Sequence, residues 1–106
     1  MSVKVRGKSD EYLQAVLKVL DQYELQHPNA EIEVYRQNSV SIRIRIVDPD
    51  FTKVSRTERH NAVWGILDEL PEAIQSQISV ILLLSPEETK GSFANFEFDD
   101  PIPSKL

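Results

Sequence analysis

Hydrophobic positions along the chain change period several times, and each change marks an element. Leu13, Val16, Leu17 and Leu20 recur at i, i+3, i+4 and i+7, with Tyr12, Val19 and Tyr23 widening the stripe. That spacing puts them on one face of a helix, predicted over residues 10–26. Ser9 is a suitable N-cap, and Asp10 and Glu11 put negative charge at the positive end of the helix dipole. His27 precedes Pro28, whose ring disfavours helix at the residue before it, and Asn29 continues the turn. The period then drops to two. Ile32 and Val34 alternate with Glu31, Glu33 and Tyr35, which predicts a half-buried strand over 30–36. After Gln37, Asn38 and Ser39, a second alternation sets Val40, Ile42, Ile44 and Ile46 against Ser41, Arg43, Arg45 and Val47. Two such strands joined by a short polar link read as a β-hairpin over 30–36 and 40–47, with its arginines facing solvent.

Asp48-Pro49-Asp50 ends the second strand. Ser55 and Glu58 stand at capping-box spacing, and Val63, Ile66, Leu67 and Leu70 form the apolar stripe of the helix that follows. Trp64 and the tyrosines flank such stripes and read as core or edge of core. Pro71 ends this helix and opens a short third one over 72–77. Residues 78–84 are apolar on both faces apart from Ser79, as in a strand protected by neighbours. The long, mostly helical stretch between Val47 and Ile78 suits a crossover, so the second and third strands are expected to pair in parallel. Ser85-Pro86 starts another turn of helix and Gly91 stops it. The pattern predicts an α+β domain of order α-β-β-α-α-β, with a three-stranded mixed sheet and helices on one face. Residues 1–9 read as a basic arm, 10–90 as the domain, and 91–106 as a flexible acidic tail carrying Phe93, Phe96 and Phe98.

Composition narrows the chemistry. With 41% apolar and 27% charged residues, the chain has the balance of a soluble globular domain. No apolar region follows the basic start, and no apolar run approaches a membrane span, so a cytoplasmic location without membrane contact is expected. The absence of cysteine excludes disulfides, thiol catalysis and any iron–sulfur cluster held by the chain's own thiolates. The sequence holds no phosphate-binding glycine loop, no nucleophile triad and no metal-ligand spacing. Carboxylate pairs such as Asp68/Glu69 and Glu87/Glu88 lack a partner to complete a mechanism. Neither an enzyme nor a cofactor is expected.

The net charge of −5 argues against nucleic acid as a partner, since phosphate neutralisation supplies most of that affinity. The charge is segregated, however. Residues 36–60 hold six Lys/Arg against three Asp/Glu, while 61–106 hold eight acids against two bases. Arg43, Arg45, Lys53, Arg56, Arg59 and His60 therefore form a candidate partner- or anion-binding set. Arg56 and Arg59 also open a helix, whose bare N–H groups favour an anion. Pairing with Asp48, Asp50 and Glu58 is the competing use of these cations. His60 is a weak metal candidate, and no other metal residue is expected. The acidic tail is in turn a candidate to cover the basic middle in cis.

One stretch carries a family resemblance. IRIVDPDFTKVSRTERHNAVWGILDEL, followed by ISVILLLSPEE, resembles the BolA family. The shared features are Phe51, the pair Arg59-His60 opening a helix, Val63 and Leu67. Ser85-Pro86-Glu87-Glu88 stands where the family has Thr-Pro-Glu-Glu. The resemblance implies the BolA, or type II KH-like, fold, whose element order is the one read above. It also implies a non-enzymatic protein that partners monothiol glutaredoxins in iron–sulfur trafficking or, in some members, regulates stress response and cell shape by binding DNA. The family keeps a histidine just before its last strand as a cluster ligand, and tends to carry Cys or His between its first two strands. Here Gln77 and the loop Gln37-Asn38-Ser39 stand in those places. The expectation is a BolA-like interaction or regulatory module without its own cluster ligands, linked to iron–sulfur trafficking through a glutaredoxin-type partner. The alternative is KH-like nucleic-acid binding or transcriptional regulation through the basic face at 36–60, although the Gly-x-x-Gly clamp of KH domains is missing.

Overall fold

The computed structural model describes residues 3–101; the outermost ends of the expected arm and tail, residues 1–2 and 102–106, lie outside the described residues. In chain order the elements are β1 (Val3–Arg6), α1 (Glu11–Gln26), β2 (Glu31–Asn38), β3 (Ser41–Val47), α2 (Arg56–Leu67), α3 (Glu72–Gln75), β4 (Ile78–Leu84) and α4 (Phe93–Asp99). Tight 3-10 turns lie at Pro49–Lys53 and Pro86–Lys90. The sheet runs β1-β2-β3-β4. β2 and β3 are antiparallel, and β3 and β4 are parallel across the helical crossover, as the spacing predicts.

The three expected strands gain a fourth. β1 comes from residues read as an arm, and it pairs in parallel with β2, setting Val5 beside Val34. Its alternation of valine with Lys4 and Arg6 is the period of a strand, compressed into four residues. Gly7, at φ +80, then turns the chain out of the sheet toward α1.

The core fills the space between one sheet face and the helices. Leu13, Val16 and Leu20 of α1 and Val63 and Leu67 of α2 meet Ile32 and Val34 of β2 and Ile42, Ile44 and Ile46 of β3. Each of these is at most 1% exposed, and each contributes roughly 1.5–3 kcal/mol by leaving water. Several expected boundaries shift: β2 runs on to Asn38, so that Gln37 and Asn38 leave the expected loop, and α3 ends at Gln75. The cap of α1 is Asp10, whose carboxylate accepts from the Leu13 backbone N–H at 2.9 Å, while the Ser9 hydroxyl accepts from the Gln14 side chain. Val40 belongs to the hairpin turn and is exposed, because the Asn38 side chain accepts its backbone N–H at 2.9 Å and closes a local turn. One extra residue on β2, Gln37, forms a bulge beside this turn.

Helices on one face become helices on both. Part of the expected tail forms α4, which lies across the face that carries Tyr35, Arg43 and Arg45. A half-buried sheet face lined by two arginines and a tyrosine needs anionic and aromatic partners, and the tail supplies both. Among the described residues no helix is long and apolar enough to cross a membrane.

Candidate functional site

The six candidate side chains divide into two groups. Arg43 and Arg45 point to the face opposite the core, as alternation requires, but that face is covered. Arg43 is 9% exposed; its Nη1 donates to both carboxylate oxygens of Glu97, at 2.8 and 2.9 Å, and to the Tyr35 hydroxyl. Arg45 Nη1 donates to the Asn95 side chain at 2.8 Å and to Asp99 at 2.6 Å, and its Nη2 to Glu33 at 2.9 Å. The expectation of solvent-facing arginines is corrected. Their partners are acids of the tail and of β2, not Asp48, Asp50 and Glu58.

Arg59 is internal as well, at 4% exposed. Its Nε donates to the Val54 carbonyl at 2.9 Å, and its Nη groups to the carbonyls of Leu83 and Phe51. A fork of two further bonds reaches the Glu88 carboxylate, the shorter at 2.6 Å. One guanidinium thus joins the turn after β3, the start of α2, the end of β4 and the turn after it. Glu88 also accepts the Ser85 backbone N–H, closing the capping box of its own turn. The Arg59 bonds, helped by that N–H, hold the Glu88 carboxyl down at about 2. The Arg-His and Ser-Pro-Glu-Glu segments singled out in the sequence are therefore tied to each other by a structural ion pair.

Lys53, Arg56 and His60 remain exposed, and among the described residues Lys53 and Arg56 form no ion pair. Arg56 and His60 rim a shallow recess with Ile81, Leu82 and Leu83 beside β4. Arg36, the sixth base of the segment, is bound to Asp10 and donates to the Gln77 side-chain oxygen at 2.7 Å. Four of the six cations between residues 36 and 60 are thus neutralised within the chain. The two left over are Lys53 and Arg56.

Gln77, where the resemblance implies a histidine ligand, spends its carbonyl oxygen on Arg36, and Asn38, which ends β2 instead of lying in the expected loop, spends its own on Val40. Neutral amides already engaged in this way do not fit an iron–sulfur cluster, which takes thiolate or imidazole. Among the described residues His60 has no second ligand grouped with it. The group of potential ligands that the fold does assemble, among the described residues, is His27, Asp48 and Asp50. His27 Nδ1 lies 3.2 Å from Asp48 and 3.1 Å from Asp50, and its ring stacks on Tyr23. Asp48 is 1% exposed and accepts the Tyr23 hydroxyl at 2.7 Å and the Asp50 backbone N–H at 2.9 Å. With these bonds in place, the cluster fastens the end of α1 to the end of β3. In the sequence both halves read as turn punctuation around a proline, and nothing local pairs them.

No family model matches the chain, and no curated protein does. Among solved structures, the BolA domain of SufE1 from Arabidopsis thaliana is similar, at 20% sequence identity and a TM-score of 0.50. The match covers 68% of this chain and 92% of that domain. With nearly the whole of that domain matched, and with the helices and strands in the order described, the chain has a BolA-like fold.

Proposed function

We propose that the chain is a non-enzymatic BolA-like interaction module that takes its partner along the outer edge of β4. The observation that carries this reading is the position of β4 at the end of the sheet. Its sequence, ISVILLL, has none of the prolines, lysines or inward charges that protect edge strands from pairing. Over residues 79–82, short of the Leu83 carbonyl that Arg59 already holds, such an edge is a template for an added strand, and Arg56 and His60 beside it supply exposed polar contacts for specificity. A binding reading is favoured over a catalytic one because the buried polar groups are consumed in structural pairs: Arg59 with Glu88, Asp48 with Tyr23, Arg43 with Glu97.

A glutaredoxin-type protein is the partner to try first. A BolA-like chain without thiolates joins cluster traffic only by docking on the protein that carries the cluster. The test is titration of a monothiol glutaredoxin, with and without its cluster, against the wild-type chain and Arg56→Glu/His60→Glu. Both forms should bind, and the double variant should weaken both roughly tenfold at an unchanged melting temperature. No complex with either form refutes the glutaredoxin assignment. A complex that needs the cluster, and that disappears in His60→Ala, refutes docking without ligation.

A further inference from the structure

The second surface is the opposite face of the sheet, independent of the β4 edge. Its occupant is α4, and the way α4 is held differs from the way the rest of the fold is held. No residue of α4 belongs to the main hydrophobic cluster. One ring is buried: Phe98, at 1% exposed, packs edge-on against Tyr35 at 4.8 Å, with the guanidiniums of Arg45 and Arg6 at 4.7 and 5.2 Å from its centre. Everything else is polar. Glu97 and Asp99 meet Arg43 and Arg45, and Arg6 donates to the carbonyls of Phe98 and Asp99 at 2.7 and 2.8 Å. The fit is incomplete on both sides. Nε of Arg43 is buried and has no acceptor among the described residues, while Phe93 and Phe96 are 83% and 57% exposed.

We propose that this face is a docking site for acidic, phenylalanine-bearing helical segments, and that α4 is its resident occupant, exchanged for such a segment of a partner protein. The site recognises three things. A slot between Tyr35 and two guanidiniums takes one phenyl ring. Arg43 and Arg45 take carboxylates one residue to either side of it. Arg6 takes the last carbonyls of the helix, where its charge suits the negative end of the dipole. Helix geometry decides for a peptide over a nucleic acid, because Arg6 and Tyr35 bind backbone carbonyls and the carboxylates flank the ring at fixed spacing. The core does not depend on α4, so undocking leaves the remaining layers packed. Tethering gives α4 a high effective concentration, so an outside segment binds well only once the cis contact is weakened.

The experiment uses the full-length chain and a fluorescent peptide with the sequence of residues 92–100. Anisotropy is followed on wild type, Phe98→Ala, Glu97→Gln/Asp99→Asn, and Phe98→Ala with Arg45→Glu added. Phe98→Ala should bind the peptide roughly tenfold or more tightly than wild type, the carboxylate variant should move the same way, and Arg45→Glu should abolish the gain. Circular dichroism identifies a variant that fails to fold; the carboxylate variant, which keeps the buried ring, then decides alone. No gain in a folded variant overturns the proposal. Tighter binding of an oligothymidylate than of the peptide by the opened chain also overturns it, in favour of a nucleic-acid face.

Discussion

Glu88→Gln tests the role of Arg59 with the least disturbance of shape. The substitution keeps one acceptor oxygen beside a guanidinium that is 4% exposed, and removes its carboxylate partner. Stranding a buried charge completely costs about 3–5 kcal/mol. Here three backbone carbonyls still accept from Arg59, and the Glu88 side chain is itself 35% exposed, so water screens part of the loss. The expected cost is about 1–2 kcal/mol. Arg59→Met removes every one of these bonds together, takes the guanidinium donor from the Val54 and Leu83 carbonyls and strands Glu88, for about 3–5 kcal/mol out of a total stability on the order of 5–15 kcal/mol. The sign with pH follows from the Glu88 carboxyl, held at about 2 against an ordinary 4.5. Between those values the native state binds fewer protons than the unfolded one. The carboxylate contribution is therefore complete above about 4.5 and is lost as the pH falls toward about 2. Urea denaturation of both chains at pH 7 and pH 3 measures this. The gap between wild type and Glu88→Gln should narrow on acidification. A gap below about 0.5 kcal/mol at neutral pH, or one that acid leaves unchanged, refutes the reasoning.

Tyr23→Phe should cost about 1–2 kcal/mol in urea denaturation, since it deprives the buried Asp48 of a 2.7 Å donor; a change within error shows that Asp48 re-pairs without it. The Tyr23 phenol is pushed well above its ordinary 10, by burial first and by the bond to Asp48 next, so its contribution is full below about pH 10 and drains as the pH rises further. Absorbance titration should show a phenol that ionises only with alkaline unfolding and that is missing from Tyr23→Phe, and its ionisation in the folded protein would contradict this. Gly7→Ala should cost about 1 kcal/mol, because φ is +80 there while a methyl group meets nothing within 4 Å; an unchanged melting temperature would show that β1 leaves the sheet at little cost.

What could be read from the chain and what could not separates along one physical line. Elements whose apolar residues repeat over two or more turns or over a full strand were legible: α1 from Leu13, Val16 and Leu20, and β3 from Ile42, Ile44 and Ile46. Their burial decides their conformation, and burial follows period. β1 and α4 were not legible as structure, because each buries little. β1 has two valines, one of them 39% exposed, and α4 has one buried ring among three phenylalanines. β1 is ordered by its ladder with β2 and α4 by the arginines and tyrosine it meets, and the spacing within either short segment does not show those partners. The same holds within the candidate set. Arg56 and Arg59 look alike in the chain, three residues apart at the start of one helix, yet one is exposed and the other is nearly sealed. The carbonyls of Val54, Leu83 and Phe51 and the Glu88 carboxylate distinguish them.

The segregated charge has its explanation in that same pairing. A basic middle of net +3 and an acidic C-terminal part of net −6 suggest a cationic surface in search of a ligand. In the fold three of those acids hold three arginines of the middle: Glu88 with Arg59, Glu97 with Arg43, Asp99 with Arg45. These three pairs differ in kind. Arg59 is sealed under Glu88 by four elements and three carbonyls, so exchanging its partner means opening the core's edge. Arg43 and Arg45 lie beneath a single short helix with one buried ring, so their partners come away together at far lower cost. A chain that needed only neutral burial of two arginines would have done better with apolar residues, since replacing buried ion pairs by packed hydrocarbon is often neutral or stabilising. Keeping two arginines and a tyrosine under a separable acidic helix makes sense where the helix is not their sole occupant, which is why that face, and not the sealed Arg59, is the place to look for exchange.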